Sequence, residues 1–300
     1  IKYTRRFDGA KLTAKEQRVD ESEISGAYQN ITSDFVGTLK IIINNVEVFY
    51  KKQLKRPARV KNADGIILKE NSLPLESVGI YIPAGTAPLV SSVYMTAIPA
   101  QVAGVKRVVI ATPPNEKGDI NPYILAVANL LKVDKIIGPG NMYVTEAKRQ
   151  LFGYVDIDML AGPTELVIIA NRYSDPEFVI ADLEAQMEHV GGLSILVTTS
   201  KQLIKQVRKR VTKGYAIFAK NIDEAIEIAN KIAPEHLQIL TNNPVSIAKK
   251  ITNAGAIFLG PYSPTAVGDY VAGPSHVLPT LGTARFFSGL CLSDFMKTSH

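Results

Sequence analysis

Arg107-Val-Val-Ile-Ala-Thr112, the helix-spaced segment Asn121–Leu131, and then Asp134-Lys-Ile-Ile137 form the stretch that decides the fold. The apolar residues stand side by side in both, Val108-Val-Ile-Ala111 and Ile136-Ile137, where a half-exposed strand would alternate. Strand, helix, strand with such strands is the sequence mark of a parallel sheet covered on both faces. Towards the N-terminus, Gly65-Ile-Ile-Leu68 and Val78-Gly-Ile-Tyr-Ile-Pro83 are further β-type runs bounded by turn residues. A helix from Ser91 to Gly104 leads into the strand at Arg107. Residues 1–56 read as helical and polar, with a capped helix start near Ser22. A longer helix follows from about Ile31 to Gln53, with apolar positions Phe35, Leu39, Ile42, Ile43, Val46 and Phe49.

Towards the C-terminus the pattern repeats. Leu166-Val-Ile-Ile-Ala170, Ser194-Ile-Leu-Val-Thr198 and Tyr215-Ala-Ile-Phe218 read as strands. Helices are expected at Pro176–Val190, Lys201–Lys213 and Asp223–Ile232. Lys135-Ile-Ile-Gly-Pro-Gly140 in the first half resembles Ile257-Phe-Leu-Gly-Pro-Tyr262 in the second, each a strand running into a Gly-Pro turn. Ligands of open parallel sheets gather beyond the carboxyl ends of strands, so both turns are candidate rims of a cleft. The architecture expected is α/β: two incomplete parallel-sheet units related by an internal repeat and facing one another, preceded by a helical segment. Two junctions are unusually tight. Leu130-Leu131-Lys132 runs into the strand at Asp134, and Lys213-Gly214 joins a helix directly to Tyr215.

Composition narrows the function. The 300 residues are 46% hydrophobic and 21% charged, ordinary for a globular chain and long enough for two domains. The net charge of +6 is spread out, and no aromatic residues alternate with the basic ones, which argues against nucleic acid as partner. A mild positive excess suits an enzyme of anionic dinucleotides equally well. The single cysteine, Cys291, excludes an internal disulfide framework and fits a reducing, cytoplasmic setting. No apolar run approaches the length of a membrane span.

Candidate chemistry begins at Asp182-Leu-Glu-Ala-Gln-Met-Glu-His189, followed by Val190-Gly191-Gly192. At helical spacing Asp182, Gln186 and His189 share one face, while Leu183, Met187 and Val190 form an apolar stripe on another. The helix should stop at the glycines. An acid, an amide and an imidazole together suit a metal ion or polar ligand, or simply a solvated face. Glu235 and His236, in a turn that Pro234 should open, pair a carboxylate with an imidazole for acid/base work, or form a surface pair. Val267-Gly-Asp-Tyr-Val-Ala-Gly-Pro-Ser-His276 reads as a loop in which Asp269 or His276 could ligate a metal. Three such His- or Asp-bearing loops make a metal site plausible, although Gln is not a usual zinc ligand. Gly138-Pro-Gly-Asn141 lacks the third glycine of the dinucleotide fingerprint, and no G-x-S-x-G or phosphate-loop pattern occurs.

Longer motifs are more specific. Gly79-Ile-Tyr-Ile-Pro-Ala-Gly-Thr-Ala-Pro88, Gly138-Pro-Gly-Asn-Met-Tyr-Val-Thr-Glu-Ala-Lys148 and Asp158-Met-Leu-Ala-Gly-Pro-Thr-Glu165 resemble the histidinol dehydrogenases. So do Gln186-Met-Glu-His189, Ala233-Pro-Glu-His236 and Gly268-Asp-Tyr-Val-Ala-Gly-Pro-Ser-His-Val-Leu-Pro-Thr280. The resemblance implies a zinc- and NAD-dependent homodimer that oxidises L-histidinol through L-histidinal to L-histidine, built from two incomplete Rossmann-like domains. It implies domains at 1–80 with 164–287 and at 81–163, with 288–300 starting a tail. By motif, it assigns Gln186, His189 and Asp269 to zinc, and Glu235 and His236 to acid/base catalysis. Thr164 contacts substrate together with Gln186, His189, His236 and Asp269, while Tyr81 and Asn141 contact NAD.

The departures from the family pattern are specific too. A Gly-Gly-Ala-Gln-Ala stretch carrying an NAD contact is missing at the first tight junction, and a helical piece at the second. The domain bringing a glutamate and the fourth zinc ligand, a histidine, is missing beyond His300. Ala84 stands where the family has glycine. Loss of a zinc ligand and the NAD loop together would abolish the chemistry, so these are read as segments left out of this sequence. The rival reading is a non-catalytic relative that only binds. Cys291, with no neighbouring base, is expected to be a buried thiol acting as a small hydrophobe.

Overall fold

The computed structural model describes residues 1–55, 57–84, 88–131, 135–136, 142–159, 162–189 and 191–300. Two short helices, α1 (Lys2–Phe7) and α2 (Glu21–Gln29), precede the long α3 (Ser33–Gln53). The cap of α2 is Asp20 rather than Ser22. Its carboxylate accepts from the N–H of Ser22 and Glu23, and the Glu23 side chain accepts from the Asp20 N–H in return. Along α3 the buried stripe is Leu39, Ile42, Val46 and Tyr50. Phe49, expected inward, is exposed, and Tyr50 takes the core position. The Tyr50 hydroxyl donates to the Leu290 carbonyl at 2.8 Å and accepts from the Ser275 N–H at 3.2 Å, so its polar end is satisfied.

After α3 come an antiparallel ribbon, β1 (Arg59–Lys61) with β2 (Ile67–Lys69), and the strand β3 (Asn71–Pro74). Then β4 (Ser77–Tyr81), α4 (Val90–Ala103), β5 (Arg107–Ala111), α5 (Pro122–Leu130) and β6 (Lys135–Ile136) build a parallel sheet of order β4-β5-β6. The helix α6 (Met142–Leu151) follows. The crossover helix α4 is buried on nearly all sides and ends at Gly104, whose φ of 89° is the left-handed cap expected of glycine.

The second sheet is β7 (Glu165–Ala170), α7 (Pro176–Met187), β8 (Leu193–Thr198), α8 (Lys201–Val207), β9 (Tyr215–Phe218), α9 (Ile222–Ile232), β10 (His236–Leu240), α10 (Pro244–Ala248) and β11 (Ala256–Leu259). All its strands are parallel, in the order β11-β10-β7-β8-β9. Every residue of β7 is buried, and its alternation feeds two cores. Val167 and Ile169 join Ala225, Ile226 and Ala229 of α9, whereas Leu166 and Ile168 join Val179, Ile180 and Leu183 of α7. That explains the unbroken apolar run in the sequence. The helix α11 (Thr265–Tyr270) follows, and β12 (Met296–Ser299) pairs antiparallel with β3.

The chain divides into two compact units, Ile1–Asp158 with Asp269–Val277 and Leu290–His300, and Met159–Gly268 with Leu278–Gly289. The N-terminal helices fall in the same unit as the three-stranded sheet. The reason is packing: Leu39, Ile42, Val46 and Tyr50 of α3 share one core with Ile80, Ile110 and the buried residues of α4.

Candidate active site

The site residues of the second unit collect at the amino edge of its sheet. Thr164 immediately precedes β7, and its carbonyl accepts from the Leu193 N–H at the start of β8 at 2.9 Å. His236 is the first residue of β10, so the expected turn here is instead the start of a strand. The run His236-Leu-Gln-Ile-Leu240 went unread as a strand because a histidine and a glutamine interrupt its apolar character. The second Gly-Pro turn, at Gly260, follows the carboxyl end of β11, the opposite edge of this sheet. The first Gly-Pro turn lies outside the described residues.

Glu235 and His236 are both buried, 7% and 5% exposed, so they are not a surface pair. His236 Nδ1 lies 3.5 Å from Glu235 Oε2, which accepts the main-chain N–H of Glu165 at 3.1 Å. The approach to this pair is shaped by local backbone. Ala233 adopts a left-handed φ of 51° to end α9, which turns the chain into β10. A Cβ on Gly255 would stand 2.6 Å from the Glu235 carbonyl oxygen, so only glycine lets β11 start there. The Phe258 ring packs beside His236, its centroid 5.9 Å from that of the imidazole.

Glu165 escaped the sequence reading, although it closes one of the quoted motifs. Its Oε1 accepts from the Leu281 N–H at 3.1 Å, and Leu281 has a strained φ of 56°. Burial pushes the Glu165 carboxyl above the usual range, and the nearby Glu235 charge adds to this against the hydrogen bonds it accepts. A buried Glu at a strand start is the signal that could have drawn attention to it.

The helix α7 ends at Met187, short of the predicted Val190, which lies outside the described residues. Asp182 and Gln186 do share a face and are both buried, but His189 lies two residues past the helix end and is exposed. Its N–H still bonds the Gln186 carbonyl at 3.3 Å, which keeps the imidazole's backbone against the helix end. Gln186 Nε2 donates to Thr164 Oγ1 at 3.2 Å. A Cβ on Gly192 would meet the Gln186 carbonyl oxygen at 2.9 Å, so the turn needs its glycine for close approach. Asp182 points inward: Thr265 Oγ1 donates to its Oδ1 at 3.5 Å. Burial pushes Asp182 up, while the adjacent Gln238 amide and Thr265 favour its charged form. Gln238 is fully buried, and its amide lies beside Asp182 outside strict hydrogen-bond geometry.

Asp269 and Tyr81 belong to the first unit. Asp269 is half-buried and lies in α11 rather than in a loop, one turn after Thr265. Tyr81 is the last residue of β4, and burial, then the charge of Asp8, pushes its hydroxyl up to about 12. His276 Nε2 lies 3.1 Å from Ser91 Oγ in the first turn of α4. Asn141 lies outside the described residues. Among the described residues no three His, Cys, Asp or Glu side chains gather as a metal would need.

A family model of histidinol dehydrogenases matches residues 1–134 and 130–300, which is the whole chain. The chain belongs to that family. It is 44% identical over 341 aligned positions to the histidinol dehydrogenase of Heliobacterium mobile, covering 99% of this chain and 80% of the relative. The crystal structure of the histidinol dehydrogenase from Elizabethkingia anophelis superposes with a TM-score of 0.93 at 36% identity, over 100% of this chain and 79% of that one. An acetylating aldehyde dehydrogenase from Geobacillus thermoglucosidasius, 12% identical, shares the fold with a TM-score of 0.55, over 99% of this chain and 94% of that one. The histidinol dehydrogenase match divides at residues 130–134, where the first tight junction was read. The alignment to the Heliobacterium relative has more positions than this chain's 300 residues, so that relative carries segments without a counterpart here.

Membership in the histidinol dehydrogenases draws attention to the lone thiol. Cys291 is half-exposed, not buried as expected, because it caps a 3-10 turn at Leu292–Phe295. Its Sγ lies 3.0 Å from Ser293 Oγ, and its N–H donates to Asp294. No histidine stands among these contacts.

Proposed function

We propose that this chain oxidises L-histidinol to L-histidine through the aldehyde, in two successive dehydrogenations. The observation that carries the reading is the buried Glu235–His236 pair, held at the amino edge of the sheet by the Glu165 N–H. His236 would take the hydroxyl proton as hydride leaves the carbinol carbon, a task suited to an imidazole whose ordinary pKa is near 7. Glu235 would activate the water that adds to the aldehyde before the second hydride departs. Thr164, Gln186, His189, His236 and Asp269 would hold the substrate.

Each oxidation needs a hydride acceptor, and NAD supplies that chemistry when bound. Its fit rests on β4-α4-β5, a parallel strand-helix-strand unit in which α4 follows the carboxyl end of β4, where open parallel sheets gather their ligands. Tyr81 and Asn141 are the proposed contacts. Zinc, when bound, would orient the substrate's amine and imidazole nitrogens and stabilise charge. Gln186, His189 and Asp269 offer an amide oxygen, an imidazole and a carboxylate. These supply three of the four donors that tetrahedral zinc takes. Gln186 already gives its nitrogen to Thr164, so its oxygen is the atom that would serve a metal.

A homodimer is proposed as well. Val60, Ile66, Ile67 and Leu68, in and beside the β1–β2 ribbon, are all exposed and would be covered by a second copy. No helix among the described residues is long and apolar enough to cross a membrane, and a cytoplasmic setting is proposed. The test is turnover by the full-length protein. Two NAD reduced for each L-histidinol consumed supports the reading, whereas binding of histidinol without NAD reduction favours the non-catalytic rival.

A further inference from the structure

Asp182 is a buried carboxylate, 7% exposed, in the core-facing stripe of α7, where an acid would ordinarily be costly. It touches neither the Glu235–His236 pair nor Thr164 in any contact described above. What it faces is one residue from each of two other elements: Thr265 at the start of α11, 3.5 Å away, and the fully buried Gln238 amide of β10. The spacing of these residues is regular. Gln186 lies four residues after Asp182 on α7, Asp269 four after Thr265 on α11, and His236 two before Gln238 on β10. Four residues on a helix and two on a strand each return to the same face. Asp182 and Gln238 therefore each share a face with one functional side chain, Gln186 and His236 respectively.

The packing agrees with this. Leu240, which shares its strand face with His236 and Gln238, belongs to the same core as Val179, Ile180 and Leu183 of α7. On the other side α11 comes so close to β11 that a Cβ on Gly268 would meet the Phe258 ring at 2.6 Å.

We infer that Asp182 is a positioning residue: it sets the relative register of α7, β10 and the start of α11, and so the placement of Gln186 and His236. The inference rests on the zinc assignment proposed above. Groups that orient metal ligands from behind typically contribute about 10- to 100-fold in metal affinity when removed. Asp182 accepts from Thr265 and lies beside the Gln238 amide, whereas an asparagine of the same shape keeps one acceptor oxygen and turns the other position into a donor.

The experiment uses full-length protein and zinc itself as the probe. Zinc affinity is measured by competition with a chromophoric chelator, and thermal unfolding is measured on the metal-free protein. Asp182→Asn should weaken zinc binding by about 10- to 100-fold while the metal-free protein melts at or above the wild-type temperature. Thr265→Val should weaken zinc in the same way, and Thr265→Ser, which keeps the hydroxyl, should restore it. Wild-type zinc affinity in Asp182→Asn would overturn the inference. So would a weakening matched by loss of metal-free stability, or a Thr265→Ser variant no better than Thr265→Val. If wild-type protein takes up no stoichiometric zinc, the metal assignment itself falls, which is a distinct result.

Discussion

The main-chain N–H of Glu165 holds the Glu235 carboxylate at 3.1 Å, across the neighbouring parallel strands β7 and β10. Because the donor is backbone, the contact survives substitution of the Glu165 side chain, and that side chain can be tested separately. Its carboxyl is raised by burial and by the Glu235 charge. A raised folded value means stability that is complete below the ordinary carboxylate range and is lost as pH rises through the folded value. Glu165→Gln removes that loss while keeping an acceptor for Leu281. The variant should therefore gain on wild type as pH rises above about 4, near the ordinary Glu value. Denaturant unfolding at several pH values checks this, and a difference that stays flat with pH contradicts it.

His236→Asn should slow oxidation of both histidinol and histidinal by roughly 10²–10⁴-fold, the usual cost of a missing acid/base group. Glu235→Gln keeps an oxygen to accept the Glu165 N–H but cannot activate water. It should spare alcohol oxidation relative to aldehyde oxidation. The rates are measured by supplying each compound separately with NAD. Equal losses in both steps for Glu235→Gln would mean that the division of labour is wrong.

Gly255→Ala places a methyl 2.6 Å from the Glu235 carbonyl oxygen, a backbone atom that cannot swing aside. Overpacking of this kind costs about 1–3 kcal/mol, and here it displaces the residue next to the base. We expect a lower melting temperature together with a fall in kcat. A variant that is destabilised yet fully active would show that the start of β10 tolerates movement.

Cys291→Ser should retain both oxidations. The thiol is half-exposed, its Sγ lies beside the Ser293 hydroxyl, and its N–H donates to the Asp294 carboxylate. Serine is itself a good cap for the turn that follows. Selective loss of histidinal oxidation, with the fold intact by circular dichroism, would restore a covalent role for the cysteine.

The parallel sheets were legible because apolar runs at Arg107, Leu166 and Ser194 admit few other readings. The interior of α3 was legible from its spacing, apart from the exchange of Phe49 for Tyr50. Legibility failed where polar residues are buried for a purpose. His236 and Gln238 disguise β10, and Glu165 hides at the head of an otherwise apolar strand. Asp269 reads as a loop residue because glycines and prolines surround a helix of six residues. Periodicity reports which faces are apolar; it carries nothing about acids whose partners come from distant strands. Those roles came from resemblance, or, for Asp182 and Glu165, from the coordinates.

The pairing of β7 with β10 also sets an order of events as the protein folds. Glu165 and Glu235 are 70 residues apart in the chain, with β8 and β9 formed from the intervening stretch. Helices can form early from local contacts, but a parallel strand cannot dock until the long intervening loop has closed. Refolding from denaturant should therefore recover helical signal well before catalytic competence. In a cell, a chain halted between those two stages would already hold α7 and its polar face, and would still lack the base.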